Sequence, residues 1–172
     1  MGLLYRGKED VTDSIGLLIS ILVRYPEVAT INYDPGQKIL KFTFITSRVL
    51  EPAERDSIRG RLLESIEVFS ILLGKSIRLS AVDYQECESF TMVEIQRDVE
   101  TLKQEEIALI VELFRQSLEN SLITDEGHTL YEEDLLIQEE IIEHMLESVR
   151  DCAGDKKLFA FREEGRVLVF NK

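Results

Sequence analysis

Apolar residues in this chain recur with two different periods, and the switches between them mark out its elements. Over residues 15–23 nearly every position is apolar, with Gly16 and Ser20 as the interruptions. Thr12 and Asp13 ahead of this run are good N-caps, and Pro26 pushes the residue before it out of helical backbone, so a helix is predicted between them. Residues 28–33 and 38–45 are rich in β-branched and aromatic side chains and flank Asp34-Pro35-Gly36-Gln37, which predicts a hairpin. In its second strand Leu40, Phe42 and Phe44 share one face, expected to be the core face. Pro52 suits a first helical turn, Glu51 and Glu54 suit its positive end, and Gly74 is a natural stop, so residues 52–73 form the second helix. Residues 76–84 and 90–96 alternate in part, with Ile77, Leu79 and Ala81, then Phe90 and Met92, in the apolar register. The acidic stretch 85–89 joins them as a second, looser hairpin.

From Lys103 the helical period returns, with Ile107, Ile110, Val111, Phe114 and Leu118 on one stripe. A polar break over 121–129 contains Gly127, and a further helix over 130–149 is closed by Ala153-Gly154. Helices joined by a short polar loop are expected to pack antiparallel. Residues 158–161 and 167–170 flank a turn containing Gly165 and are apolar on both faces, which predicts a hairpin that is buried or added to the sheet. The fold class is therefore α+β. An antiparallel sheet in helix-hairpin-helix-hairpin order (residues 1–100) is followed by a C-terminal helical hairpin and a final β-hairpin (101–172), in one domain. In element order the first 120 residues are similar to the small dimerising longin and roadblock-type modules, a similarity of succession that carries no residue motif and no function.

Two helices, over residues 15–23 and 66–73, are apolar nearly all the way round. A helix lying on one sheet needs a single apolar stripe, so the second side of each has to be covered by the C-terminal helices or by a second copy of the chain. Gly16 and Gly60 each cost about 1 kcal/mol in a helix interior. One reading is that the two helices touch near them; the other is tolerated drift.

Charge narrows the function classes. The net charge is −13, with 44% of residues hydrophobic. Residues 1–100 hold 12 Lys and Arg against 16 Asp and Glu, and residues 101–172 hold 8 against 17. Such a surface repels phosphate backbones and anionic membranes, so neither a nucleic acid nor a membrane is expected as partner. Cys87 and Cys152 match no metal or disulfide spacing and read as reduced thiols. The N-terminal residues lack the pattern of a signal peptide, and a cytoplasmic location is expected.

Chemistry-bearing candidates are few. Arg55 and Arg59 fall in the same arc as Ile58, Leu62, Leu63, Ile66, Phe69 and Leu73, close to a helix N-terminus. Two guanidinium groups there suit a carboxylate or phosphate ligand or partner; alternatively they snorkel with their heads in water, or pair with the many carboxylates of the C-terminal half. His144 borders the acidic face of its helix with Glu140 one turn before it, a spacing that suits a divalent metal, with His128, Glu126 and Glu132 as possible contributors. The opposing reading is a boundary histidine beside a carboxylate. The Glu-x-x-His and HExxH spacings are absent, as are a phosphate loop, a nucleophile elbow and any cofactor motif. The expectation is a non-enzymatic protein-interaction or regulatory module, homodimeric and binding a protein partner. The alternative is a divalent-metal enzyme or sensor using His144 and helix carboxylates.

Overall fold

A computed structural model describes residues 13–125, 132–151 and 156–171. Thr12, Glu126, Gly127, His128, Thr129, Leu130, Cys152, Ala153 and Gly154 lie outside these. The elements run α1 (Asp13–Arg24), β1 (Thr30–Asp34), β2 (Ile39–Thr46), α2 (Pro52–Leu72), β3 (Ser80–Glu86), β4 (Thr91–Asp98), α3 (Gln104–Ser117), α4 (Glu132–Asp151), β5 (Leu158–Glu163) and β6 (Arg166–Asn171). The strands make one antiparallel sheet in the order β3-β4-β2-β1-β5-β6. The α+β class follows, and the final hairpin joins the sheet through β5 beside β1, as its two apolar faces require.

Register assigns the two faces. Phe42 lies between Ile31 and Ile95, and Phe44 lies opposite Val93. These residues, with Leu40, Val82, Ala160 and Val169, are buried. Helix α1 lies over β1, β5 and β6, and α2 over β3. Helix α3 reaches the middle of the sheet, where Phe114 stacks on Phe44 with ring centroids 4.0 Å apart. The other face carries Lys41, Glu94 and Gln96 at its centre, and Phe159, Phe161, Leu168 and Phe170 towards the β6 edge.

The second hairpin differs from expectation in register. The inward residues of β4 are Thr91, Val93, Ile95 and Arg97, so Met92 and Glu94 face the open side. Pairing with β2 decides this, because it sets Val93 against Phe44. Strand β3 starts at Ser80, not at residue 76, because the chain is held back at the end of α2. There Gly74 takes φ 70°, its N–H donates to Ile71 O and the Lys75 N–H to Ser70 O, the bonding of a Schellman stop. The turn to β4 is tighter than the acidic stretch implied, since β3 extends through Glu86 and Cys87 N–H donates to Phe90 O.

The surplus apolar surface is resolved differently in the two helices. Leu17, Leu18, Ile21 and Leu22 of α1 are all buried. Helix α4 is the second cover, more extensively in contact with α1 than with α3. Arg24 pairs with Glu139 at 2.8 Å at one end and Ser148 donates to Asp13 at the other, which makes α1 and α4 antiparallel. The expected packing of α3 against α4 is present but slight, because the all-round apolar α1 offers α4 more surface. Helix α2 has no such cover: Val68, Ile71 and Leu72 are 55%, 66% and 79% exposed. The expected meeting of α1 and α2 at their glycines does not occur. The helices lie over opposite ends of the sheet, and a Cβ on Gly60 would meet nothing within 4 Å.

Candidate functional site

The α2 arginines face β3 because the helix runs along that edge strand. Arg55 Nε donates to Leu50 O at 3.1 Å, and its NH2 pairs with Glu86 at 2.6 Å. Arg59 Nε donates to Val82 O at 3.1 Å, with Asp56 3.8 Å away. Both guanidinium groups stand over the Tyr84 ring, at 6.0 and 5.1 Å from its centroid. The Tyr84 hydroxyl donates to Arg55 O, and burial pushes it up to about 12, against the pull of the two cations. The structure thus brings Arg55 and Arg59 together as expected, but their donors are turned on the backbone of β3 and the loop before α2. They fasten the helix to the strand.

His144 and Glu140 share a face of α4, and both are exposed. Among the described residues no group of three or more His, Cys, Asp or Glu side chains is arranged to hold a metal. The buried side of α4 uses Ile142, Leu146 and Val149. Glu143 turns inward, accepts the Gln104 N–H at 3.1 Å and lies 3.7 Å from Lys103 Nζ.

The most organised polar cluster is one that the sequence reading passed over. Arg97 points from β4 into the core and is wholly buried. Its Nε and NH2 donate to the two oxygens of Glu106, at 2.5 and 2.8 Å, and its NH1 donates to Asp98 and to Leu79 O. Asp98 also accepts the Thr101 hydroxyl and the N–H groups of Leu79 and Thr101. One cation and two carboxylates leave a single negative charge in the interior, and their surroundings divide it. Burial pushes Asp98 up, but the Thr101 hydroxyl, the Leu79 N–H and Arg97 overcome it, so Asp98 stays below the ordinary carboxylate range. Glu106 has Arg97 alone as donor, and burial lifts it above that range. The signal was legible in outline: Arg97 continues the inward parity of Val93 and Ile95, and Glu106 stands one turn before Ile110 on the buried stripe of α3. Arg97 and Glu106 are shut off from solvent while Thr101 borders it, and the cluster pins β4, the loop before β3 and α3.

Arg162 is a second missed residue. From β5 it donates to Leu22 O, Tyr25 O and Val28 O. It thereby ties the end of α1, where Leu22 O is left open, to the turn that follows it.

Of the grooves at the surface, two adjoin exposed apolar side chains. One, about 590 Å³, runs between the end of α2 and the segment leading into β3, with Leu63, Ile71 and Ile77 in its wall and Lys75 and Arg78 beside them. The other, about 530 Å³, lies on the open sheet face between Ile45, Ile123, Phe159 and Phe161. No family model, no curated protein and no solved structure matches the chain.

Proposed function

We propose that the protein is a non-enzymatic interaction module that self-associates and binds a protein partner, with the end of α2 as the partner-binding surface. The observation that carries this is the exposed row of Val68, Ile71, Leu72 and Leu73 on a fold that buries Leu17, Leu18, Ile21 and Leu22 of its other apolar helix. A cluster of large apolar side chains standing open on a water-facing helix marks an interaction surface. The adjoining groove offers pockets for apolar anchors, and Lys75 at its edge suits a partner with a carboxylate near those anchors, while Arg78 beside it pairs with Glu100 at 2.7 Å. The charged groups of the interior support the same reading, since each is spent on holding elements together.

The test places a photo-reactive side chain at Leu72 or, as control, at the exposed Glu132 of α4, and compares cross-linked products formed in extracts of cells that express the protein. A discrete adduct with one other protein from position 72, absent from position 132 and lost when Ile71→Glu is added, is the expected result. Equal labelling from both positions would remove the assignment of α2. Among the described residues no carboxylate cluster joins His144 to favour a divalent-metal role.

A further inference from the structure

The two edges of the sheet are built differently. At β3, the Asp98 N–H bonds to Leu79 O and the Cys87 N–H to Phe90 O, so alternation turns the backbone groups of Val82 outward. Arg59 already occupies the Val82 carbonyl, and Asp83 and Glu86 lie along the strand. Charges and occupied carbonyls are means of keeping other strands away. At β6 these means are fewer, Arg166 at the start of the strand being its one charge. The strand reads Arg166-Val167-Leu168-Val169-Phe170-Asn171, with no carboxylate and no proline, and among the described residues no strand lies beyond it.

The direction of its backbone groups follows from the turn. Glu163 and Arg166 are cross-strand partners around Glu164 and Gly165, which have φ of 50° and 77°. This is a two-residue I′ turn, whose flanking pair exchanges both hydrogen bonds. Leu168 and Phe170 therefore bond to β5, while the N–H and C=O groups of Val167 and Val169 point away from the sheet.

We propose that β6 is the self-association surface: it pairs antiparallel with β6 of a second copy about a two-fold axis at Leu168, so that the two sheets become one. This rests on the self-association reading above and names its surface. In this register Val167 of each copy faces Val169 of the other, and these are the residues whose backbone groups point outward. On the open face Leu168 meets Leu168 of the second copy, and Arg166 lies opposite the second copy's Phe170, a cation against an aromatic ring. Charge favours this edge. Two chains of net charge −13 repel over most of their surfaces. Pairing through β3 would set Asp83 and Glu86 against their duplicates, whereas β6 brings no carboxylate to the joint. The arrangement leaves the end of α2 free for its partner.

Light scattering on the full chain tests this. The wild type is expected at twice 19.8 kDa. Leu168→Lys, which places two cations at the axis, and Val167→Pro, which removes an outward N–H without touching a bond to β5, are both expected at the monomer mass with unchanged far-UV dichroism. Ile71→Glu is expected to remain a dimer. If Val167→Pro does not fold, Leu168→Lys decides, because its side chain lies on the open face. A dimer that survives Leu168→Lys, or one lost with Ile71→Glu instead, overturns the β6 assignment while self-association stands. A wild type that stays monomeric throughout the micromolar range overturns both.

Discussion

Replacing Arg97 by methionine isolates the contribution of the buried charge cluster. Methionine keeps most of the side-chain volume and removes the cation, leaving Glu106, 1% exposed at its side chain, and Asp98 to face each other in the interior. Removing one partner of a buried ion pair costs about 3–5 kcal/mol, mainly because the remaining charge is uncompensated. Each kcal/mol moves the melting temperature of a domain of this size by about 2–4 °C, so a fall of about 6–20 °C is expected by calorimetry at neutral pH. Two further variants separate charge from packing. Glu106→Gln leaves Arg97 with Asp98 as a neutral pair and is expected to cost less than Arg97→Met. Arg97→Met with Glu106→Leu is expected to recover part of the loss, because the bidentate pair is then absent on both sides. The sign of the pH dependence is fixed by the same argument. Without Arg97, Glu106 loses its donor and burial alone holds it above its unfolded value, so its stability contribution is present at acid pH and lost as pH rises through the folded value. The deficit of Arg97→Met against wild type therefore shrinks from pH 7 towards pH 4. A deficit that does not change with pH, or a double variant no better than the single one, would refute the assignment of an uncompensated buried charge.

Three shorter predictions follow from local geometry. Gly60→Ala is expected to raise stability by about 0.5–1 kcal/mol, since a Cβ there meets nothing within 4 Å and the position is helical; Gly74→Ala, with equal space but φ 70°, is expected to lower it by about 1–2 kcal/mol. Denaturant midpoints of the two variants should move in opposite directions. Burial pushes Tyr25 up to about 12, as it does Tyr84, so the stabilisation from these protonated phenols is full below the ordinary value near 10 and lost as pH rises through about 12. Tyrosinate absorbance should show a late step that diminishes in Tyr25→Phe and in Tyr84→Phe, and a titration complete near 10 would count against the burial. Arg162→Met removes the donor to the carbonyls of Leu22 and Val28, while Tyr25 O keeps the Val28 N–H, and is expected to cost roughly 2–3 kcal/mol, with faster amide exchange in the last turn of α1.

The sequence marks helices and turns well where one residue type has a single good use. Pro52, Gly74 and Gly165 stand at the start of α2, at its stop and in the last turn, as their backbone preferences dictate. It is less informative for β3 and β4, because both readings of the alternation contain apolar residues. Phe90 and Met92 are as hydrophobic as Val93 and Ile95, and only the pairing with β2 separates them. Arg55 and Arg59 were correctly placed together by helical spacing, yet spacing says nothing of where a guanidinium donates, and here the acceptors are backbone carbonyls that every sequence has. Arg97 went unnoticed for the converse reason. A polar residue at an inward position looks like an error in the pattern until Glu106 and Asp98 come to it from other elements.

The contrast between α1 and α2 bears on where partners meet this protein. Both helices carry more apolar surface than a sheet can hide, but α4, the element available to cover it, can lie against only one of them. Arg24–Glu139 and Ser148–Asp13 commit α4 to α1 along its length. Helix α2 is at the far end of the sheet, tied down at its N-terminal half by Arg55 and Arg59 and bare on the outer side of its C-terminal half, where Ile66 and Ser70 face inward. Additional apolar contact in α1 is thus a matter of stability, and in α2 a matter of association. Substituting Leu18 and substituting Leu72 should consequently have separable effects: Leu18→Ala is expected to cost about 2–5 kcal/mol of folding free energy, whereas Leu72→Ala, 79% exposed, is expected to change stability by less than about 0.5 kcal/mol and to reduce cross-linking to the partner. Equal destabilisation by the two would mean that the end of α2 is covered by its own chain, and would remove the surface assigned to the partner.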